Sequence, residues 1–468
     1  MRKKISAKVL LGIGMFVLLA LTISCPKKTA PPPNVMILLI DSLRADHLAD
    51  YGYHRNTNSF LARFGRRGIR FTNAFTQSTH TKVVVSSLFT GLLPVVHKVR
   101  KAASPSLENE NKILSDILSD KFLTMAEAFK NNRYTTGAFV TNPHLREFFG
   151  LNQGFDHYQY LNSLTRADEL NRAVLEWLDQ HQEKPVFVYV HYMDVHMPYN
   201  PPASYQGLYF LGPPRGLYIY QFNGPWRFAQ EPDRLSLEYT VALYDAQINY
   251  WDDAFKRFIS ALEMRGWLKN TLLIILADHG EEFYEHKGFG HGFTLYEEQL
   301  HIPLYIIFPG VLKENQTNDH LVQTIDLFPT ICHLAKIKCP NLSGENIFSP
   351  KKKTKYIYSE TYRGKVPRSI RTQRYKLVFN AGVQEYETEN LVKLLKNLNS
   401  PLVKNYLELY DLNKDPKERD NIFSPTNPRV KEYIYQLLQV FRQSRGKAEQ
   451  VELDQRTIKE LKSLGYIK

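Results

Sequence analysis

An open, mostly parallel α/β sheet with helices on both faces is the fold that this sequence predicts. Three observations predict it. Apolar runs of strand length recur along the chain. Segments with helical spacing of apolar residues separate them. The main runs stop at clusters of Asp, His or Asn. Strand and helix in alternation argue for a sheet wound on both faces. Runs without polar alternation read as strands covered on both sides. Such sheets bind ligands beyond the carboxyl ends of their strands, so clusters after separate strands point to one shared edge.

The chain opens with Arg2, Lys3, Lys4 and Lys8, then an apolar run from Val9 to Ser24 that ends at Cys25. That run is short for a membrane-spanning helix and fits a secretory signal. Lys27, Lys28 and the three prolines from Pro31 read as an exposed tether. We therefore expect a signal over 1–25, a tether over 26–33, a catalytic body over 34–350 and a basic subdomain over 351–468. The body is expected outside the cytoplasm.

Asn34 to Ile40 predicts the first strand, and Asp41 follows at once. Ser78 to Gly91 reads as a loop entering a helix that Gly91 stops. Thr81 falls at the helix start, where N–H groups and the helix dipole favour a bound anion. Threonine there is also a common helix cap. Thr135 to Thr141 predicts a strand before Asn142 and His144. Glu169 to His181 reads as a helix. Pro185 to Val190 predicts a strand before His191, Asp194 and His196. Tyr239 to Gly266 reads as a long helix. Thr271 to Ala277 predicts a strand before Asp278, His279 and Gly280. Pro303 to Phe308 predicts one more. A lone Asp after a strand is usually a turn residue, but several clusters together weaken that reading.

Asp41, Asp278 and His279 combine hard oxygen ligands with an imidazole. That set suits one divalent cation: Ca²⁺, Mg²⁺ or Mn²⁺, with Zn²⁺ as an alternative. The loop from Asp278 to Gly292 adds His286 and His291. The aromatic-rich stretch from Tyr199 to Phe228 reads either as a lid over a sugar or aryl group or as a loop packed on the sheet. Cys332 and Cys339 sit too far apart on a regular helix to pair unless the chain turns between them.

The 468 residues carry a net charge of +13, distributed unevenly. Residues 1–30 hold +6, residues 351–468 hold +11, and the body between them holds −4. A nucleic-acid enzyme usually carries a basic stripe on its working domain. This body is slightly acidic, so we expect no nucleic-acid partner. Three cysteines exclude a disulfide-dense scaffold and a four-cysteine zinc module.

Taken together, these segments resemble the sulfatase family of the alkaline phosphatase superfamily. Asn34 to Leu48 resembles the family's opening strand and first metal ligand. Leu88 to Pro94 resembles the end of its nucleophile helix. Asp194-Val195-His196-Met197-Pro198-Tyr199 matches its Asp-x-His-x-Pro-Tyr block. Asn270 to Leu304 matches the second metal segment. Ser369 to Leu377 and Glu408 to Asn421 match its C-terminal part. The leader's Leu21 to Cys25 resembles the lipobox of bacterial lipoproteins, with Thr22 as a departure. The resemblance implies an alkaline-phosphatase-like sheet with a smaller α+β subdomain. It also implies a protein attached to the cell envelope by a lipid or signal anchor.

One departure bears on the chemistry. Family members that use formylglycine make it within Cys-x-Pro-Ser-Arg, and the matching segment here reads Thr81-Lys82-Val83-Val84-Val85. No cysteine lies between Cys25 and Cys332, so formylglycine is excluded. The family's sulfate-holding lysine has no clear counterpart between Tyr134 and Asn142. Thr81 is then the expected nucleophile, with His196 or His291 as the acid for the leaving oxygen. The expected substrate is a sulfated or phosphorylated small molecule, glycan or lipid. A phosphoryl or phosphoethanolamine transferase and a metal-binding homologue without catalysis are the alternatives.

Overall fold

Asn34–Ile40 forms β1, buried from Val35 onward, in a computed structural model of the chain. The structure describes residues 31–468 except 101–103, 106–111, 184, 216–231, 351, 353, 363–366, 381–397, 399–405, 445 and 465–468. The expected signal and Cys25 lie outside the described residues. So does the latter half of the aromatic stretch.

Eight further strands join β1 in one sheet. They are β2 Ile69–Phe75, β3 Thr135–Val140, β4 His157–Tyr160, β5 Val186–Tyr192, β6 Thr271–Ala277, β7 His301–Ile307, β8 Gln316–Asn318 and β9 Val322–Gln323. The order is β8-β2-β7-β6-β1-β5-β3-β4, with β9 also on β2. Pairing is parallel except where β7 runs antiparallel between β2 and β6. The apolar runs read as doubly covered strands because β1, β5 and β6 occupy the middle, where every residue but Asn34 is buried.

Register sets the site. Ile40 is level with Ala277 on β6 and Tyr192 on β5. The next residues, Asp41 and Asp278, therefore leave adjacent strands side by side. His191 lies inside β5, level with Leu39. The chain that leaves β2 runs through Ser78 and Thr79 into helix α1, Thr81–Thr90. Gly91 closes α1 at φ 63°, as a left-handed stop requires. Helices α2, Ala167–Asp179, and α3, Arg234–Met264, match the expected helical stretches with small shifts at the ends.

A second, four-stranded antiparallel sheet is built from β10 Ile357–Glu360, β11 Arg368–Arg371, β12 Tyr375–Phe379 and β13 Leu407–Asp411. Ion pairs join it to the segment after β6. Glu297 receives Arg371 and Lys376, and Lys376 also meets Glu418. Burial alone would raise the Glu297 carboxyl, but Arg371 and Lys376 hold it well below the usual range. Near the C-terminus, Glu449–Glu452 pairs with Ile113–Ile117 of the body.

The first part of the aromatic stretch packs rather than hovers. Tyr199 is buried against Tyr244 and Phe283. Tyr205 bonds Asp253, and Tyr209 donates to the Asn56 carbonyl. The helix that carries Cys332 ends at Lys336 in the left-handed region, so the chain does turn before Cys339; both thiols are free. Among the described residues, no helix is long and apolar enough to cross a membrane.

Candidate active site and metal centre

The six residues singled out by the sequence, Asp41, Thr81, His196, Asp278, His279 and His291, are all buried at the carboxyl edge of the main sheet. The Thr81 hydroxyl lies 3.4 Å from Asp41 Oδ2 and 3.3 Å from His279 Nε2. It sits in the first turn of α1, whose N-terminal end is wholly buried. The cap position belongs to His80, which makes no side-chain capping bond. Thr81 is therefore not the helix cap, and its hydroxyl faces the carboxylates.

The acid pair is held from several sides. Asp41 Oδ2 accepts from Asn142 Nδ2 at 2.7 Å and lies 3.0 Å from His191 Nε2. Asp278 Oδ1 accepts from the backbone N–H groups of Ser42 and His279. Burial would raise the Asp41 carboxyl, but His196, His191 and His279 hold it well below the usual range. Burial, and then the neighbouring Asp41, push Asp278 well above it. Two acids that cannot both ionise comfortably in one dry site call for a cation.

The donor set fits a divalent cation. Asp278 Oδ2 is buried without a hydrogen-bond partner. His279 Nδ1 lies 2.9 Å from the Gly280 carbonyl, to which it donates, leaving the Nε2 lone pair 3.4 Å from Asp278 Oδ2. Asp41, Asp278 and His279 could thus hold the ion. His191 was not expected among them, yet it groups with Asp41 and Asp278 at ligand spacing. The sequence places His191 just after a strand that ends at Val190; it lies inside β5 instead, level with Leu39.

Two further residues were missed. Glu281 Oε1 lies 2.9 Å from His291 Nδ1, and Glu281 Oε2 accepts from the Tyr199 hydroxyl at 2.9 Å. Burial lifts Glu281 to about 7. The His291 ring centre lies 4.2 Å from that of His279, tilted to it, and 5.0 Å from that of His196, edge-on, so both acid candidates are present together. The signal for Glu281 was its place one turn after Asp278, masked by four acids in the same loop. Asn142 closes on Thr81 at 3.4 Å. Lys82, next to Thr81, turns away from the carboxylates: its side-chain amine bonds Ser115 and the Asp116 carbonyl. Burial draws it down to about 7.

A second carboxylate–imidazole group, Glu282, His286 and Glu298, is satisfied internally. His286 bridges Glu298 and the Glu418 carbonyl, while Glu282 accepts from Gly288, Thr294 and Gln299. It reads as a joint to the second sheet.

Gly280 keeps the loop after Asp278 seated. Its N–H donates to the Gln299 carbonyl, and a Cβ there would lie 2.0 Å from the Glu298 carbonyl oxygen. Gly280→Ala is expected to cost about 3 kcal/mol or more in chemical denaturation, because backbone must move. Calorimetric titration with Mn²⁺ should show weakened binding in the same variant.

Comparisons with known proteins bear on the family and the fold. The sulfatase family model matches residues 33–337. A model described as the C-terminal region of N-sulphoglucosamine sulphohydrolase matches residues 284–447. A Δ4,5-hexuronate-2-O-sulfatase of Bacteroides thetaiotaomicron is 22% identical over 450 residues, covering 83% of this chain and 84% of that protein. An arylsulfatase of Clostridium perfringens is 23% identical over 466 residues, covering 84% and 90%. The phosphonate monoester hydrolase of Agrobacterium radiobacter shares the fold with a TM-score of 0.69 at 20% identity, covering 88% of this chain and 96% of that one.

Proposed function

The chain belongs to the sulfatase family of the alkaline phosphatase superfamily, and from that premise we propose that it hydrolyses a sulfate or phosphate ester through Thr81. The observation that carries this reading is the Thr81 hydroxyl, poised within 3.4 Å of both Asp41 and His279 at the start of α1.

Asp41, Asp278 and His279 are the residues that would hold a divalent cation, with His191 behind Asp41. Such an ion, when bound, supplies charge that favours an alkoxide and neutralises the oxygens of the ester. The chain's own residues do the rest. Thr81 Oγ1 forms a bond to the sulfur or phosphorus as the bond to the leaving oxygen breaks. The positive end of the α1 dipole favours the ester oxygens, and Asn142 Nδ2 steadies Asp41 Oδ2 and the Thr81 hydroxyl. Glu281 fixes His291 through Nδ1, leaving Nε2 to give its proton to the leaving oxygen. Water then attacks the adduct, its proton returns to His291, and Thr81 is released. His196, 5.0 Å from the His291 ring, flanks this path.

Release favours phosphorus. A formylglycine adduct expels sulfate by elimination to the aldehyde. A threonine adduct has no such route and must be attacked again at its central atom. The basic, apolar leader with Cys25 supports an exported, envelope-attached protein; N-terminal mass analysis of the mature protein tests that placement.

The test of function is turnover by the purified, metal-loaded, leaderless protein on an aryl sulfate, a phosphate monoester and a phosphodiester. We expect turnover of at least one, with phosphate esters preferred. No turnover of any of them with the metal bound would overturn the reading. Within the same assay, Glu281→Gln should lower kcat by roughly ten- to a hundredfold with KM nearly unchanged. Equal loss in KM would instead assign Glu281 to substrate binding.

A further inference from the structure

We propose that the edge of the main sheet remote from Thr81 docks on an anionic bilayer, so that the ester site faces away from the membrane that carries the protein. The inference rests on the envelope-attached reading of the leader for what brings the bilayer near; the edge itself stands on its own geometry.

This edge is where the chain enters β1. Asn34 is level with Thr271, the first residue of β6, and its side-chain oxygen accepts from the Val186 N–H at the start of β5. The loops into β2, β3, β4 and β6 lie along the same edge, as does the loop out of the antiparallel β7. Those loops, 65–68, 130–134, 154–156, 263–270 and 309–315, hold seven Lys or Arg against three acids. The loop into β5, 181–185, is neutral, and the body as a whole carries −4. Arg66, Arg67, Arg133, Lys269 and Lys313 are all exposed. Large apolar side chains stand beside them: Met264 is 81% exposed and Val311 58%. A cavity of about 390 Å³ opens in the same patch, lined by Phe64, Leu268 and Ile307 together with Arg67 and Lys269. Thr271, the partner of Asn34, lines it too, so the cavity adjoins the point where the chain enters the sheet.

The patch is one built surface. The Asn315 N–H donates to the Arg66 carbonyl at 2.6 Å and the Gln316 N–H to that of Gly68 at 3.2 Å, which fastens the β7 loop to the β2 loop. Arg67 pairs with Glu263, which ties both to the end of α3. Exposed cations around protruding apolar side chains are the composition of an interfacial membrane site, and the cations match anionic head groups. Position names the occupant. Eight residues separate Cys25 from Asn34, and such a segment spans at most about 30 Å. A bilayer that holds the leader therefore comes up to this edge first. The carboxyl edge, with Asp41 and Thr81, lies the length of β1 further out, about 20 Å. In that orientation the site takes its substrate from the solvent side, which favours an ester in solution over a lipid seated in the same bilayer.

The test uses the full chain on two kinds of vesicle, phosphatidylcholine alone and phosphatidylcholine with phosphatidylglycerol in equal parts. Flotation reads attachment, and amide hydrogen exchange reads which edge is covered. One variant carries Arg66→Glu and Lys269→Glu. A control carries the same charge change, Lys414→Glu and Lys417→Glu, at exposed positions on the loop after β13. We expect both vesicles to carry the parent. Exchange in 263–270 and 309–315 should slow about threefold or more on the mixed vesicles relative to phosphatidylcholine, while 278–292 at the opposite edge exchanges alike on both. The first variant should lose the slowing and the control should keep it. Attachment with equal exchange on both vesicles would overturn the docking and leave the leader reading intact. Slowing in 278–292 instead would overturn it as well, by seating the other edge on the membrane. Flotation with the mixed vesicles alone, lost in the first variant, would sustain the edge and overturn the leader as the anchor. Flotation with neither would overturn both.

Discussion

Thr81→Ala should abolish turnover, lowering kcat by roughly three to five orders of magnitude, while the protein stays folded. The loss is large because a nearby hydroxyl, that of Ser42, already donates to Asp41 Oδ1 at 3.0 Å and does not stand at the start of α1. Among the residues touching Thr81, Asp41 and His279 would be occupied by the proposed cation, and Asn142 is an amide. Lys82 is tied to Ser115 and Asp116. The structural cost should be small. Thr81 is not the α1 cap, and its hydroxyl contacts are long, so about 0.5–1.5 kcal/mol is expected. Thr81→Ser keeps the hydroxyl and should retain much of the rate. Single-turnover assays and thermal melts on both variants check this. Full activity in Thr81→Ala would remove Thr81 from the chemistry, whatever became of the metal.

The sheet was legible because its central strands are apolar on both faces. Asn34–Ile40 and Thr271–Ala277 could be bounded to the residue, since each is followed at once by an acid. That same abruptness exposed Asp41 and Asp278. Residues that act from inside an element were harder to see. His191 is the sixth of seven residues in β5, and nothing in an apolar run marks one imidazole as facing a carboxylate. Only register does, by setting it level with Leu39 beside Asp41. Glu281 was hidden for another reason. It is one acid among four in a short loop, and its role follows from burial against His291 and Tyr199, a contact between segments 82 residues apart. The first part of the aromatic stretch was open to either reading, because Tyr199, Tyr205 and Tyr209 could equally have packed or hovered. Hydrogen bonds to Glu281, Asp253 and Asn56 decide for packing.

Asp278→Asn should change stability in opposite directions with and without metal. In the metal-free protein, Asp278 faces Asp41 in a fully buried site, and its carboxyl is raised well above the usual range by burial and by that neighbour. The folded state then holds a proton that the unfolded state has already released. Metal-free stability must therefore fall as pH rises from the ordinary carboxylate range through the raised value. Asp41 opposes this only at lower pH, since its own carboxyl is depressed. Asparagine removes the charge while keeping an oxygen for the Ser42 and His279 N–H groups. In chelator at pH 7–8 the variant should thus melt above the parent, and its melting temperature should respond less to pH. Added Mn²⁺ reverses the order. A cation at a hundredfold over its Kd stabilises the parent by about 2.7 kcal/mol, which amounts to a few degrees in Tm. The variant lacks one anionic ligand and should gain little. Scanning calorimetry with and without Mn²⁺ reads both effects. A parent that gains nothing from Mn²⁺, Ca²⁺, Mg²⁺ or Zn²⁺ would show that the acid pair holds no cation. A variant that gains as much as the parent would place the ion elsewhere.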